Sequence, residues 1–538
     1  MSIVGLCDII ALMNIGPKAG VALLLALLLG ACSVSREAAR PDYSKESSYH
    51  FILAVEAELS QDWERALKHM ELALREDPES VYIKTEISQL YLKLNRTEEA
   101  IATAEDVVGK APDYEPALSL LAQMYTNRKE FRKALSLYEK LIKANPGNAQ
   151  NYVHLAYLYA IDNQIDRAIS TLKDALARDA FNIMARYYLG KLYIETKEYD
   201  KAIEQLQKAL ELNPALWDAY NMLGIAYYSV EDIDKAISNY EESLVLNPHN
   251  TDARKKLAML YLKKEMPGKA IEHLEEIARA EPGSVEVHGI LAKIYFDGKQ
   301  FEEAEKELRI VTAAQPDNTA AIFMLGKVLG ILHKYEDAVR QFEKLVVMLP
   351  DNPDVYIYFG RLYLQKKDYG LAGDKLKKAL DLDPGNDEAL FNLAVVYEKT
   401  GKIDEMFSSL KKTLELNPEH IEALNYLGYS YAERGINLDE ALALVKKAIE
   451  LAPESGFIRD SLGWVFFKKG MYNDALNEIT KASEMEKNDP VILEHLGDVY
   501  LKLNNRDAAL EAWKKSLEFQ EKEEDSRERV EKKIRDLK

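Results

Sequence analysis

Few side chains in this sequence could do covalent chemistry, and Cys32 has the most informative setting. It follows an apolar run, Ala19 to Leu29, that begins directly after Lys18. Gly30 and Ala31 separate this run from the cysteine. A thiol is a good nucleophile for forming a lipid thioether, and small neighbours fit the cleft of a peptidase. A short apolar run after a positive charge predicts a secretory signal and not a membrane span.

The last four residues of this segment, Leu29 to Cys32, resemble the lipobox of bacterial lipoproteins. The resemblance implies a signal peptide over residues 1–31, followed by a lipidated Cys32 and a polar tether over 32–46. Ser33, where an aspartate would be a retention mark, favours the outer membrane, with the protein facing the periplasm. An ordinary secretion signal or an uncleaved anchor with an incidental cysteine is the alternative. The start at Met1 or at Met13 also stays open.

The sequence offers no other chemistry. Of the two cysteines, Cys7 falls within the segment predicted to be removed, so the mature chain would have neither a free thiol nor a disulfide. The His-Glu-x-x-His, P-loop and Gly-x-Ser-x-Gly motifs are missing, and none of the nine histidines is spaced to share a metal on one helical turn. We therefore predict no catalytic residue, no metal site, no cofactor and no small-molecule substrate.

The sequence contains a repeat of 34 residues, and any binding site must be built on the helices that this repeat forms. One unit shows its four marks, namely Gly224, Tyr227, Ala236 and Pro248. A proline stands at this position of the repeat at Pro78, Pro112, Pro146, Pro214, Pro248, Pro282, Pro316, Pro350, Pro384 and Pro418, and then, one residue late, at Pro453. A period of this length predicts a stacked array of two-helix units.

The residue types explain the spacing. A small residue and a tyrosine three positions apart lie on one face of a first helix, where the small residue lets a second helix approach. The later alanine does the same from the second helix, and the proline ends that helix. The tyrosine is expected to fill the gap between units. No unit can bury its apolar face alone, so its neighbours must cover it.

These positions resemble the tetratricopeptide repeat, and the match covers about fourteen units over residues 47–523. The resemblance implies an all-α, right-handed superhelical solenoid whose first helices line a concave groove. Residues 524–538 are predicted to form a charged capping helix, because Val530, Ile534 and Leu537 share one helical face. A docking helix for a partner is the alternative. The repeats leave no segment for a catalytic domain, which again predicts that the protein is not an enzyme.

The predicted groove combines basic, amide and aromatic residues. Its candidate binding residues are Lys191, Asn221, Lys293, Lys327, Arg361, Asn425, Tyr429, Trp464 and Phe467. Cations pair with carboxylates, rings pack against apolar side chains, and amides bond to backbone. An extended or acidic peptide segment of another protein is therefore the expected partner. The alternative is that the lysines are simply solvated and the aromatic rings pack between units.

The net charge of the chain and its repeat architecture indicate which partners to expect. The net charge is −19, and because a phosphate backbone needs a basic surface, nucleic acid is a poor partner. We expect a lipid-anchored scaffold of the cell envelope that binds other proteins and supports complex assembly, secretion, pilus building or polysaccharide export. A non-anchored adaptor, or the recognition subunit of a separate envelope enzyme, is the alternative.

One stretch departs from the repeat and predicts a looser seam near residues 400–440. Met406 and Thr413 replace small residues there, and an extra residue enters near Gly435 to Asn437. Native-state proteolysis should first cut the chain in this interval, because a weaker interface between units opens more often. Equal resistance along the whole chain would rule the seam out.

Overall fold

The computed structural model describes residues 45–519 and 524–537. The predicted signal peptide, Cys32 and almost all of the tether lie outside these residues. The described part contains 29 α-helices and no strand. In chain order the helices are α1 Lys45–Leu59, α2 Trp63–Glu76, α3 Val81–Lys93, α4 Thr97–Lys110, α5 Glu115–Asn127, α6 Phe131–Ala144, α7 Ala149–Ile161, α8 Ile165–Arg178, α9 Ile183–Glu195, α10 Tyr199–Leu212, α11 Trp217–Ser229, α12 Ile233–Leu246, α13 Thr251–Lys263, α14 Pro267–Ala280, α15 Val285–Asp297, α16 Phe301–Ala314, α17 Thr319–Ile331, α18 Tyr335–Met348, α19 Pro353–Gln365, α20 Tyr369–Leu382, α21 Asp387–Lys399, α22 Ile403–Leu416, α23 Ile421–Arg434, α24 Leu438–Leu451, α25 Gly456–Lys468, α26 Tyr472–Met485, α27 Pro490–Lys502, α28 Arg506–Phe519 and α29 Glu524–Leu537.

The helices form two compact units, which divide between Ala253 and Arg254. Within each unit a helix packs against the next one as a helix–turn–helix pair, and each pair then packs on the following pair. The odd-numbered helices up to α27 are the first helices of the pairs, and the even-numbered helices are the second. The predicted all-α repeat architecture is therefore confirmed.

Small residues set the distance between the two helices of a pair. A Cβ added to Gly224 would lie 2.7 Å from the ring of Tyr240, and one added to Gly326 would lie 2.9 Å from the ring of Phe342. Gly190 approaches Leu206 in the same way, at 2.6 Å. In each case the facing residue lies sixteen positions later, on the second helix. The glycine thus leaves room for a large side chain, which fills the space between the two helices of the pair.

A residue with left-handed backbone makes the turn inside every described pair. It is Asn95 between α3 and α4, with φ of 56°, and His333 between α17 and α18, with φ of 58°. In the twelfth pair the turn holds two such residues, Gly435 with φ of 68° and Asn437 with φ of 46°. The extra residue predicted for this pair therefore lies in the turn, where it leaves both helices intact.

The repeat tyrosines join successive pairs. The hydroxyl of Tyr159 donates to Glu139 on the preceding second helix at 2.9 Å. Tyr295 makes the same bond to Glu275 at 2.8 Å. Both rings are buried. The tyrosines are therefore packing residues that couple neighbours, as the sequence predicted.

The last helix, α29, covers the end of the second unit. Val530 is fully buried, and Ile534 and Leu537 pack beside Trp513 and Leu501. The outer face of α29 is charged, so this helix is a cap. The seam near 400–440 stays a prediction. Among the described residues, no helix is long and apolar enough to span a membrane.

The glycine contacts predict the effect of adding a side chain. Gly326→Leu should destabilise the protein by about 1–3 kcal/mol, because the new side chain must displace Phe342 and separate α17 from α18. Gly289→Leu is the matched control, since nothing lies within 4 Å of a Cβ at this helical position. The control should be neutral or slightly stabilising, because leucine favours helix more than glycine does. Thermal melting of the full chain measures both, and equal melting temperatures for the two variants would contradict the packing argument.

Candidate functional site

The first unit contains two of the predicted groove residues. Lys191 is exposed and lies at the edge of a cavity of about 220 Å³, beside Tyr157 and Tyr188. Asn221 is only 7% exposed, and its side-chain oxygen has no hydrogen-bond partner among the described residues. The expectation that Asn221 lies exposed on a groove is therefore wrong, because the neighbouring helices cover it.

The second unit brings Lys327 and Arg361 together around an aromatic ring. The Lys327 ammonium lies 5.4 Å from the ring centre of Phe296 and 4.7 Å from that of Tyr358. The Arg361 guanidinium lies 5.5 Å from the same Tyr358 ring. Phe323 meets Tyr358 edge-on at 4.8 Å and holds it in place. Three successive first helices, α15, α17 and α19, supply these residues, which we call the basic–aromatic cluster.

Two lysines on the helices of the basic–aromatic cluster are not paired with a carboxylate of the described residues. Within the described part of the chain, no carboxylate lies within 4.0 Å of the ammonium of Lys293 or Lys327, whereas Arg361 pairs with Glu388 at 3.1 Å. Lys293 is exposed, and Lys327 is half-buried. A half-buried cation between two rings is less screened by water than a free surface lysine. It can therefore bind a carboxylate strongly.

Two cavities flank Lys327 and leave room for a ligand. One, of about 340 Å³, is lined by Phe296, Phe323 and Asn352 among others. The other, of about 140 Å³, lies between α17 and α19, beside Arg361 and Gln365. Apolar rings, an amide and two cations thus surround space that an extended peptide could occupy.

At the predicted aromatic end of the groove, Trp464 is buried and not exposed as expected. Trp464 is only 5% exposed, so the expectation that it lies open on the groove is wrong. Its ring stacks on Phe467 at 4.7 Å and on His495 at 3.9 Å, and its indole nitrogen donates to Glu433 at 2.6 Å. Trp464 therefore packs between α25 and α27, as the alternative reading of the aromatic residues proposed.

His495 was not predicted and belongs to a buried ion pair. Its Nδ1 donates to the carboxylate of Asp460 at 2.9 Å, and both side chains are buried. Burial lowers the pKa of His495, but the charge of Asp460 and this hydrogen bond raise it further, so the net shift is upward from 6.5. The histidine lies 35 residues from Asp460, so only the 34-residue repeat could have suggested their contact.

Asn425 and Tyr429 are half-buried on α23. Both line a third cavity, of about 310 Å³, which also borders α25 and α27. Burial raises the pKa of Tyr429, so the phenol stays protonated and can donate a hydrogen bond. Asn425 and Tyr429 therefore lie together, but apart from the basic–aromatic cluster on α15 to α19.

Comparison with protein families gives a consistent assignment. Two models described as "Tetratricopeptide repeat" match residues 59–124 and 262–327, and 387–420 and 492–523, respectively. One described as "TPR repeat" matches 360–401. A further model, described as "Tetratricopeptide repeat protein 21 C-terminal ARM domain", matches 116–290. With the helix pairs described above, these matches make the chain a tetratricopeptide-repeat protein.

Several solved structures contain a similar helical repeat. The Cut9-Hcn1 hetero-tetramer of APC/C is 17% identical over 92% of this chain and 90% of that chain, with a TM-score of 0.38. Yeast Tom70 is 16% identical over 85% and 95%, with a TM-score of 0.34. YrrB, described as a TPR protein with an unusual peptide-binding site, is 20% identical over 36% and 97%, with a TM-score of 0.31. A search of curated proteins found no significant match.

The buried ion pair predicts a pH dependence. Because the pKa of His495 is higher in the folded chain than its ordinary value of 6.5, the protonated pair stabilises the fold fully below pH 6.5. This stabilisation is lost as the pH rises through the folded pKa. The difference in melting temperature between the wild type and His495→Gln should therefore shrink as the pH rises. His333→Gln, at an exposed histidine, is the control and should show a constant difference. A His495→Gln difference that grows with pH would contradict the assignment.

Proposed function

We propose that this protein is a scaffold that binds an extended, acidic or carboxylate-ended segment of another protein at the basic–aromatic cluster. The observation that carries the proposal is Lys327, a half-buried cation between Phe296 and Tyr358 that has no carboxylate within 4.0 Å among the described residues. A buried or half-buried charge is usually paired. A carboxylate from a partner would supply the missing charge.

The surroundings of Lys327 define what the segment must look like. Arg361 can form two parallel hydrogen bonds to a carboxylate, although Glu388 competes for it at 3.1 Å. Phe296 and Phe323 offer apolar surface on one side of Lys327. The segment is therefore expected to carry an acidic residue next to an apolar one. Weak contacts in several repeats add together, because the helices hold them at fixed spacing.

We further propose that Cys32 anchors the protein by a lipid in the cell envelope, at the outer membrane facing the periplasm. Support comes from Lys18, the apolar run after it and the lipobox-like residues Leu29 to Cys32. In this setting the scaffold would serve envelope complex assembly, secretion, pilus building or polysaccharide export. A non-anchored adaptor, or a recognition subunit of a separate envelope enzyme, would use the same groove without the lipid.

Charge reversal tests the binding site. With a photo-crosslinking residue placed at Gln365, beside the second cavity, living cells should yield a discrete protein adduct. Reversal of Lys293, Lys327 and Arg361 to glutamate should reduce this adduct about tenfold or more, because each substitution replaces attraction for a carboxylate by repulsion. Mass spectrometry measures the adduct. The matched control reverses three exposed lysines of second helices, Lys377, Lys378 and Lys412. An adduct that all variants form equally would refute the site.

A separate experiment tests the anchor. Wild-type protein should sediment with membranes, and Cys32→Ala should move to the soluble fraction or remain unprocessed, because it cannot form the thioether. Cys7→Ala is the control and should behave as the wild type. Identical fractionation of wild type and Cys32→Ala would leave the non-anchored adaptor as the better description.

A further inference from the structure

We propose that the cavity between α23, α25 and α27 binds an arginine or lysine side chain of a partner polypeptide, flanked by apolar residues. This inference deepens the proposed function and rests on it, because the partner is again a protein segment. The preferred charge is the opposite of that at the basic–aromatic cluster. The net charge of −19 alone does not single out this place; the lining of the cavity does.

The cavity, of about 310 Å³, presents acceptors. Three carboxylates line it, those of Glu398, Asp460 and Asp489, and none of the lysines and arginines that the structure describes does. Asn425 adds a side-chain oxygen that is buried and has no hydrogen-bond donor in the part of the chain that the structure describes. A buried acceptor without a donor is costly. A donor from outside, such as an ammonium or guanidinium group, would relieve that cost.

Each carboxylate has some internal partner, but acceptor capacity remains. Glu398 accepts from the Tyr426 hydroxyl and lies 4.0 Å from Arg434. Asp460 pairs with His495, as described above. Asp489 accepts from two backbone amides, those of Val491 and Ile492, at 2.9 and 3.0 Å. Because an ionised carboxylate can accept about four hydrogen bonds, these partners do not saturate the site.

The next pair along the chain shows that this face takes cations. Glu494 and Asp498 have the same positions relative to Gly497 as Asp460 and Trp464 have relative to Gly463. There the cap α29 supplies the cations. Arg529 donates two hydrogen bonds to the Glu494 carboxylate, at 2.8 and 2.7 Å. Lys533 donates to Glu494 at 2.7 Å and to Asp498 at 2.6 Å.

One pair earlier, His495 holds the position equivalent to Arg529, because it follows Asp460 by 35 residues as Arg529 follows Glu494. The cavity lined by Asn425 and Glu398 lies beside this histidine–aspartate pair. Helix α29 supplies no residue to the lining of this cavity. A cation from a partner would therefore use the acceptors that His495 does not contact, namely those of Glu398, Asp489 and Asn425.

The rim of the cavity determines the neighbours of the cation. Phe457 is 55% exposed and Val491 is 47% exposed, and both line the opening. Inside, the faces of Tyr426 and Tyr429 can pack against a guanidinium or an alkyl-ammonium chain. The occupant is therefore a basic side chain with apolar residues beside it, held by charge inside and by apolar contact at the rim.

The proposed cation site can be tested with a displayed library of random twelve-residue peptides. Peptides that bind the full chain are selected from this library. Peptides that bind at the cavity should share one arginine or lysine flanked by apolar residues. Replacing that arginine by citrulline, which is neutral and nearly isosteric, should weaken binding about tenfold or more, as measured by fluorescence polarisation. The citrulline comparison leaves the protein unchanged, so a folding defect cannot imitate the result.

Two variants link the effect to the cavity. Glu398→Gln keeps an oxygen that can accept from Tyr426, and Asn425→Leu removes the unpaired acceptor, so both should fold and melt near the wild type. Each should weaken binding of the arginine peptide several-fold, whereas Lys377→Glu, at an exposed lysine of a second helix, is the control and should leave it unchanged.

The outcomes separate the two proposals. Peptides that are acidic only, and that respond to Lys327→Glu but not to Glu398→Gln, would overturn the cation site and leave the proposed function standing. An arginine peptide that both cavity variants bind at full strength would also overturn it. A library from which no peptide is selected would overturn both.

Discussion

The close approach of two helices at a small residue is the constraint on which the rest of this structure depends. At Gly190, Gly224 and Gly326 the space of a missing side chain is taken by a large residue of the second helix. This contact fixes the distance within a pair, and the distance within a pair fixes which residues of the first helix face outward. Every later feature, from the tyrosine bonds to the cavities, uses a face that the small residue has defined.

The coupling between pairs follows from the same geometry. Tyr159 and Tyr295 reach carboxylates of the preceding second helix because the first helix lies close to its own partner and leaves one side for the neighbour. Stability is thus distributed over many similar interfaces, each involving adjacent pairs only. Such a fold can vary the exposed positions of its first helices without disturbing the core, which allows one unit to carry sites of different chemistry.

The second unit uses this freedom to separate charges. Lys327 and Arg361 gather around Tyr358 on α17 and α19, where rings and cations favour a carboxylate. Further along, acceptors dominate, and Glu494 is already paired with Arg529 of the cap. Opposite preferences along one series of first helices would let a partner bind in a single direction, because reversing it would bring like charges together.

The elements could be predicted from the sequence, because the 34-residue period, the small residues and the prolines predict the helix pairs, and an apolar stripe predicts the cap. These features are local, and each repeat reports them again. The exposure of the candidate binding residues could not be predicted in this way, because it depends on contacts between pairs. Asn221 and Trp464 occupy positions predicted to face the groove, yet both are buried. Trp464 is covered because His495, on the next first helix, stacks on it at 3.9 Å. Whether a groove position is open depends on which side chain the neighbouring pair brings to it, and helical spacing within one pair carries no information about that.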